Sequence, residues 1–264
     1  MAGSLPPLRH SYNPAPAASY EELVDEYGLM VEQLAEFVDV FLCETMGALH
    51  EARAATDAAR ASGREVWTSF TLQGGTGPHL LDGTPFTQAC GEVAADAFLL
   101  NCCPPEQITE SLPLLRKATD HPVGVYANAF HDMPKGWRGR DGSPLPGART
   151  DMGAEPYAEA ALTWVEMGAD IVGGCCEIGP EHIACIRQRG RTHAPVVEER
   201  FWGCADIGRR PKGQRGEPGR EVWRVFQQGF RWRLLRQVRT FRQVKQGHAT
   251  QPHHHTHPHA PWCS

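Results

Sequence analysis

The 264-residue chain has no run of about 18 apolar residues, which argues against a membrane span. It also lacks the pattern of a secretory leader. Met1 to Tyr20 is rich in Pro, Ala and Ser, with no basic stretch followed by an apolar one. The expected compartment is therefore the cytoplasm. Evenly spaced cysteines are lacking too. The nine cysteines are odd in number, and two pairs are adjacent, Cys102-Cys103 and Cys175-Cys176. That pattern does not suit a disulfide framework and points to metal or thiol chemistry instead. No internal repeat is present. Positive charge is scarce before residue 187, with 10 Lys and Arg against 26 Asp and Glu.

What is present divides the chain in two. Hydrophobic residues make up 41%, enough for a real core. The acidic body is expected to span 1–189. Residues 190–264 form a basic, Gly/Arg/His-rich tail, expected to be disordered, with a possible basic helix over Val222 to Val244. Solvated charge runs are common, so nucleic acid is not the expected partner.

Within the body, strand and helix signals alternate. Ser19-Tyr20-Glu21-Glu22 reads as a capping box that opens a helix running to about Phe37. Apolar strands are expected at Val38–Cys43, Val66–Phe70, Ala97–Leu100, Val123–Ala127 and Ala169–Val172. Between and after them lie helices over Gly47–Ser62, from Thr84-Pro85 with Pro at the first helical position, over Pro105–Ala118, over Tyr157–Met167 and over Pro180–Arg189. Five successive βα units imply a parallel sheet, either open and doubly wound or part of a (β/α)8 barrel. Glu44, Asn101, Cys102, Asn128, Cys175 and Cys176 all fall at strand C-terminal ends, the functional face of either architecture.

Zinc favours thiolates, and a catalytic site keeps one position open beside three protein ligands. Neighbouring side chains on a strand point to opposite faces, so adjacent cysteines share a metal only where the backbone turns. Gly173 and Gly174 are expected to supply that turn. A third thiolate would come from Cys102 at another strand end. Cys43, Cys90 and Cys185 read as small buried hydrophobes, and Cys103 as pointing away from the site.

Gly173-Gly174-Cys175-Cys176 followed by Gly179-Pro180-Glu181-His182-Ile183, Asn101-Cys102 with Pro105-Glu106, and Glu44-Thr45 resemble, in order, motifs of the homocysteine S-methyltransferase family. The resemblance runs from about Ser4 to Gln188. It implies a (β/α)8 TIM barrel with Zn2+ held by Cys102, Cys175 and Cys176. It also implies methyl transfer from an onium donor (S-methylmethionine, betaine or S-adenosylmethionine) to homocysteine, giving methionine. On the same resemblance Glu44 holds the substrate amino group, against the alternative of an ordinary strand-end carboxylate. Asn101 and Asn128 orient the site, with loop-end hydrogen bonding an equal alternative for Asn128.

Two departures shape the expectations. The match starts at Gly3-Ser4-Leu5-Pro6-Pro7, which resembles the stretch after the family's third strand. The barrel is therefore expected to be incomplete, with about five βα units corresponding to the fourth to eighth strands. The tail matches nothing in the family. Open apolar edges at Val38–Cys43 and Ala169–Val172 would favour self-association. The alternative function is a catalytically impaired zinc-binding fragment of such an enzyme.

Overall fold

A computed structural model describes residues 1–9, 11–12, 18–74, 77–131, 146–193 and 224–227. These all fall within one compact unit, Met1–Gln228. In chain order the elements are β1 (Ala2–Leu5), α1 (Tyr20–Leu34), β2 (Val40–Met46), α2 (Leu49–Arg60), β3 (Glu65–Phe70), α3 (Phe86–Glu92) and β4 (Ala97–Asn101). They continue with α4 (Pro105–Ala118), β5 (Val123–Tyr126), α5 (Ala154–Glu166), β6 (Ile171–Gly174), α6 (Pro180–His193) and β7 (Arg224–Gln227).

The strands pair in sequence order, and every pairing is parallel. The result is the curled, incomplete barrel that the family resemblance implies. The doubly wound alternative is set aside, because strand order never reverses along the sheet. Among the described residues β7 does not return to β1, so the sheet is open.

Strand parity separates two apolar layers. On β2, Phe41 and Cys43 face the helices, while Val40 and Leu42 face the concave interior. On β4, Phe98 and Leu100 face the helices, while Ala97 and Leu99 face inward. Burial on both faces explains why β2 is apolar almost throughout and buried at every position. The helices cover the outer layer. Trp164 and Tyr157 of α5 are fully buried there and meet edge to face at 5.8 Å. The capping box of α1 forms as expected, with Glu22 N donating to Ser19 Oγ at 3.2 Å and Ser19 N to Glu22 Oε2 at 2.8 Å.

Four expectations need correction. Ala2–Leu5 is a strand lying along β2, so Val38–Cys43 is not an edge. Its four residues include Gly3 and Ser4, too short and too weakly β-forming to stand out in the sequence. Pro85 caps α3 rather than occupying its first turn. Arg224–Gln227, where a helix was expected, pairs with β6 and covers the other presumed edge. Neither Gly173 nor Gly174 has a positive φ; among described non-glycine residues that conformation falls on Thr45, Cys102 and Glu177. The rest of the tail expectation lies outside the described residues.

Candidate metal centre

Asn101 is the last residue of β4 and shares the inward parity of Ala97 and Leu99. Simple alternation would turn Cys102 outward, toward the helices. Instead its φ is +57°, a left-handed conformation uncommon for a residue with a side chain, and the thiol joins the inner cluster. Cys103 takes the outward position. Its sulfur accepts from Leu72 N at 3.3 Å and donates to the Asn101 carbonyl at 3.2 Å.

Beyond β6, Cys175 keeps the inward parity of Ile171. A tight turn follows, in which Ile178 N donates to the Cys175 carbonyl at 3.2 Å and Glu177 has a φ of +64°. This turn carries Cys176 round to the same side as Cys175. Gly174 is needed for space: a Cβ there would lie 2.1 Å from Ile178 Cγ2. The exit of β5 ties into the turn, with Cys175 N donating to the Ala127 carbonyl at 2.9 Å and Ala129 N to the Cys176 carbonyl at 3.0 Å.

The three sulfurs converge at the strand C-terminal rim. Sγ–Sγ distances are 3.1 Å for Cys102–Cys175, 3.7 Å for Cys102–Cys176 and 3.8 Å for Cys175–Cys176. A tetrahedral ion with Zn–S bonds of about 2.3 Å holds its sulfurs about 3.8 Å apart. Two of the three pairs already match that spacing, and the third needs to open by about 0.7 Å. No other group of three potential metal ligands clusters this way among the described residues.

Burial and mutual proximity hold protons on these thiols. The Cys175 pKa is raised well above its ordinary value by hydrogen bonds with Cys102 and Cys176 and by burial. For Cys102 the bond from Cys175 lowers the pKa, but the bond with Cys176 and burial outweigh it, and the net direction is upward. Packed thiols cannot all ionise beside one another in a buried site; a divalent ion removes that obstacle.

Asn101 is fully buried and links three strand ends. Its Oδ1 accepts from Thr45 N at 3.0 Å and from Ser69 Oγ at 2.7 Å. Its Nδ2 donates to Thr45 Oγ1 at 2.8 Å and faces Cys175 Sγ at 4.0 Å. Glu44 is buried with the inward parity of Val40 and Leu42, and it accepts from Ser4 Oγ of β1. Asn128 sits at the loop end, its Oδ1 accepting from Phe130 N at 3.3 Å and its own N–H donating to the Cys103 carbonyl at 3.0 Å.

The sequence motifs include Ser4 and Thr45 but give no site role to them, nor to Tyr12, Ser69 or the hydroxyl of Tyr126. Tyr12 Oη lies 2.8 Å from Cys102 Sγ. The Tyr126 hydroxyl is buried with no hydrogen bond of ordinary geometry among the described residues, Ser69 being the neighbour that comes nearest. Tyr12 follows a Pro-containing stretch with no periodic signal, and nothing local marks it. A cleft of about 870 Å³ opens on the same rim beside Glu106, Arg149 and Asp151, and none of the three cysteines lines it.

A parallel, incomplete α/β barrel sheet with three thiols gathered at its C-terminal rim places there a group that could hold a metal ion. The chain belongs to the homocysteine S-methyltransferase family, whose sequence profile matches residues 1–189. It is 32% identical over 187 residues to homocysteine S-methyltransferase YbgG of Bacillus subtilis, covering 67% of this chain and 55% of that protein. It is 28% identical over 186 residues to a selenocysteine methyltransferase of Astragalus bisulcatus, covering 67% and 52%. Among solved structures it resembles the metallated form of the Escherichia coli homocysteine methyltransferase MmuM, with a TM-score of 0.54 and 27% identity over 68% of this chain and 55% of that one. The chain spans about half the length of the curated relatives it matches.

Proposed function

We propose that this chain binds Zn2+ through Cys102, Cys175 and Cys176 and transfers a methyl group from an onium donor to homocysteine, giving methionine. The observation that carries this reading is the convergence of three sulfurs, 3.1 to 3.8 Å apart, from two strand ends. Three thiolates select zinc over hard, oxygen-seeking cations. Bound zinc supplies the positive charge that keeps a substrate thiol ionised at neutral pH.

The chain's own residues do the rest. Asn101 fixes the end of β4 against β2 and β3, so Cys102 and Cys175 keep their spacing. Glu44, facing the interior, receives the substrate ammonium. Asn128 holds the β5 exit that braces the cysteine turn. The substrate sulfur bonds to the donor's methyl carbon, and the donor's sulfur or nitrogen keeps the electron pair of the bond that breaks. S-methylmethionine, betaine and S-adenosylmethionine all have that chemistry.

A second reading, a zinc-binding body with little turnover, is favoured by the sheet that does not close among the described residues. Metal analysis and a methionine-formation assay with homocysteine and each donor separate the two. Wild type should hold about one zinc per chain. That zinc should be lost in Cys102→Ala and Cys175→Ala and kept in Cys103→Ala. Retention in both of the first two variants would sink the site assignment. Zinc with methionine formation supports the enzyme; zinc without it supports the second reading.

A further inference from the structure

Pro6, Leu8 and Arg9, just after β1, are held by buried and charged groups of α1 and α2. Glu51 of α2 is buried, and its Oε1 accepts from Leu8 N at 2.9 Å and from Tyr27 Oη at 3.1 Å. The same Tyr27 hydroxyl lies 3.1 Å from the Pro6 carbonyl. Arg9 makes a two-bond pair with Glu26 of α1 at 2.8 and 2.7 Å. Such forked pairs fix direction as well as distance.

The clamp delivers Tyr12 to the inner cluster, where its ring packs and its hydroxyl reaches 2.8 Å from Cys102 Sγ. The other bonds described for Cys102 Sγ run to Cys175 and Cys176 sulfurs. Once all three are thiolates, those sulfurs carry no proton to share. The phenol is then the proton donor that the described contacts offer to Cys102. Asn101 Nδ2 faces a different sulfur of the triad, Cys175 Sγ, at 4.0 Å.

We propose that Tyr12 is a positioning residue of the metal centre, its hydroxyl donating to the Cys102 thiolate and fixing that sulfur in the triad. This rests on the metal reading above. Three thiolates on a divalent ion leave one surplus negative charge, and a hydrogen bond to one of them spreads it. Partners of this kind orient the ligands and tune the metal, and losing one typically costs about 10- to 100-fold in metal affinity or activity.

The test uses the full chain loaded with Co2+, which occupies tetrahedral thiolate sites and shows a thiolate-to-cobalt charge-transfer band. Band position and the rate of metal removal by EDTA are measured for wild type, Tyr12→Phe and Glu26→Gln. Tyr12→Phe keeps the ring and should shift the band and speed removal about 10- to 100-fold. Glu26→Gln loosens the clamp and should move both readouts the same way by less. A wild-type band that Tyr12→Phe leaves unchanged in position and removal rate overturns the role of Tyr12 alone, whatever Glu26→Gln does. No thiolate–cobalt band in wild type overturns the metal reading and this proposal with it.

Discussion

Cys102 Sγ comes within 3.1 Å of Cys175 Sγ although strand parity would turn Cys102 to the other face of the sheet. The approach depends on the φ of +57° at Cys102. Left-handed backbone costs a residue with a Cβ about 1–2 kcal/mol, and glycine escapes that cost.

Cys102→Gly should therefore be more stable than Cys102→Ala by about 1 kcal/mol in metal-free protein, although it removes more atoms. Urea unfolding of both variants measures the difference. Alanine at least as stable as glycine would show that the strand end relaxes and that the left-handed turn is not imposed by its neighbours.

Asn101 ends β4 and Asn128 lies two residues past β5, and their side chains do unequal amounts of bonding. Asn101 satisfies Thr45 N, Ser69 Oγ and Thr45 Oγ1, all buried, whereas the Asn128 side chain serves Phe130 N at 3.3 Å. Asn101→Ala should cost about 2–4 kcal/mol, because buried donors lose their acceptor, and Asn128→Ala about 1 kcal/mol. Thermal denaturation of the two variants checks the order. Equal losses would mean that the link through Asn101 is replaced by other contacts.

The thiols outside the triad predict an alkaline limb of stability. Burial pushes Cys43 and Cys90 up to about 12 from an ordinary value of 9.0. The folded state keeps protons that the unfolded chain releases between those values. Stability from these sites is therefore fully present below pH 9 and is lost as pH rises toward 12. Urea midpoints measured from pH 8 to 11 should fall, and Cys43→Ser with Cys90→Ala should flatten the fall. In the native protein at pH 8 neither thiol should react with iodoacetamide, and rapid labelling of either would contradict its burial.

Much of this architecture is legible in the sequence, and the parts that are not have physical reasons. The apolar runs at β2 to β6 and the Ser19–Glu22 box announce themselves, because burial on both faces and helix capping leave local signatures. The cysteine triad is legible because its residues sit at strand ends. The means of convergence is not. Glycines at 173 and 174 suggest a flexible backbone, yet the unusual φ values belong to Thr45, Cys102 and Glu177, and Gly174 answers to the bulk of Ile178. β1 is hidden by its brevity and finds its place only through pairing with β2. Tyr12 is invisible for a similar reason: the contacts that place it come from Glu51, Tyr27 and Glu26, far along the chain.

Two buried tyrosines differ in what their hydroxyls meet. Tyr157 and Tyr126 are each almost wholly out of solvent, at 0% and 1% exposure. The Tyr157 hydroxyl points at two carbonyls, Gly173 at 2.8 Å and Ala127 at 3.0 Å, and so ties the ends of β5 and β6 behind the cysteine turn. The Tyr126 hydroxyl makes no hydrogen bond of ordinary geometry among the described residues; Ser69 comes nearest, and its proton goes to Asn101 Oδ1. A net hydrogen bond is worth about 1 kcal/mol, and burying a polar group without one costs about 1–3 kcal/mol. The same chemical change should therefore act in opposite directions. Tyr157→Phe should lose about 1–2 kcal/mol and loosen the β5–β6 junction, seen as faster amide exchange at Cys175. Tyr126→Phe should be neutral or stabilising by up to about 2 kcal/mol. Urea unfolding of both variants decides the matter. A clear loss in Tyr126→Phe would mean that its hydroxyl is satisfied within the folded protein after all.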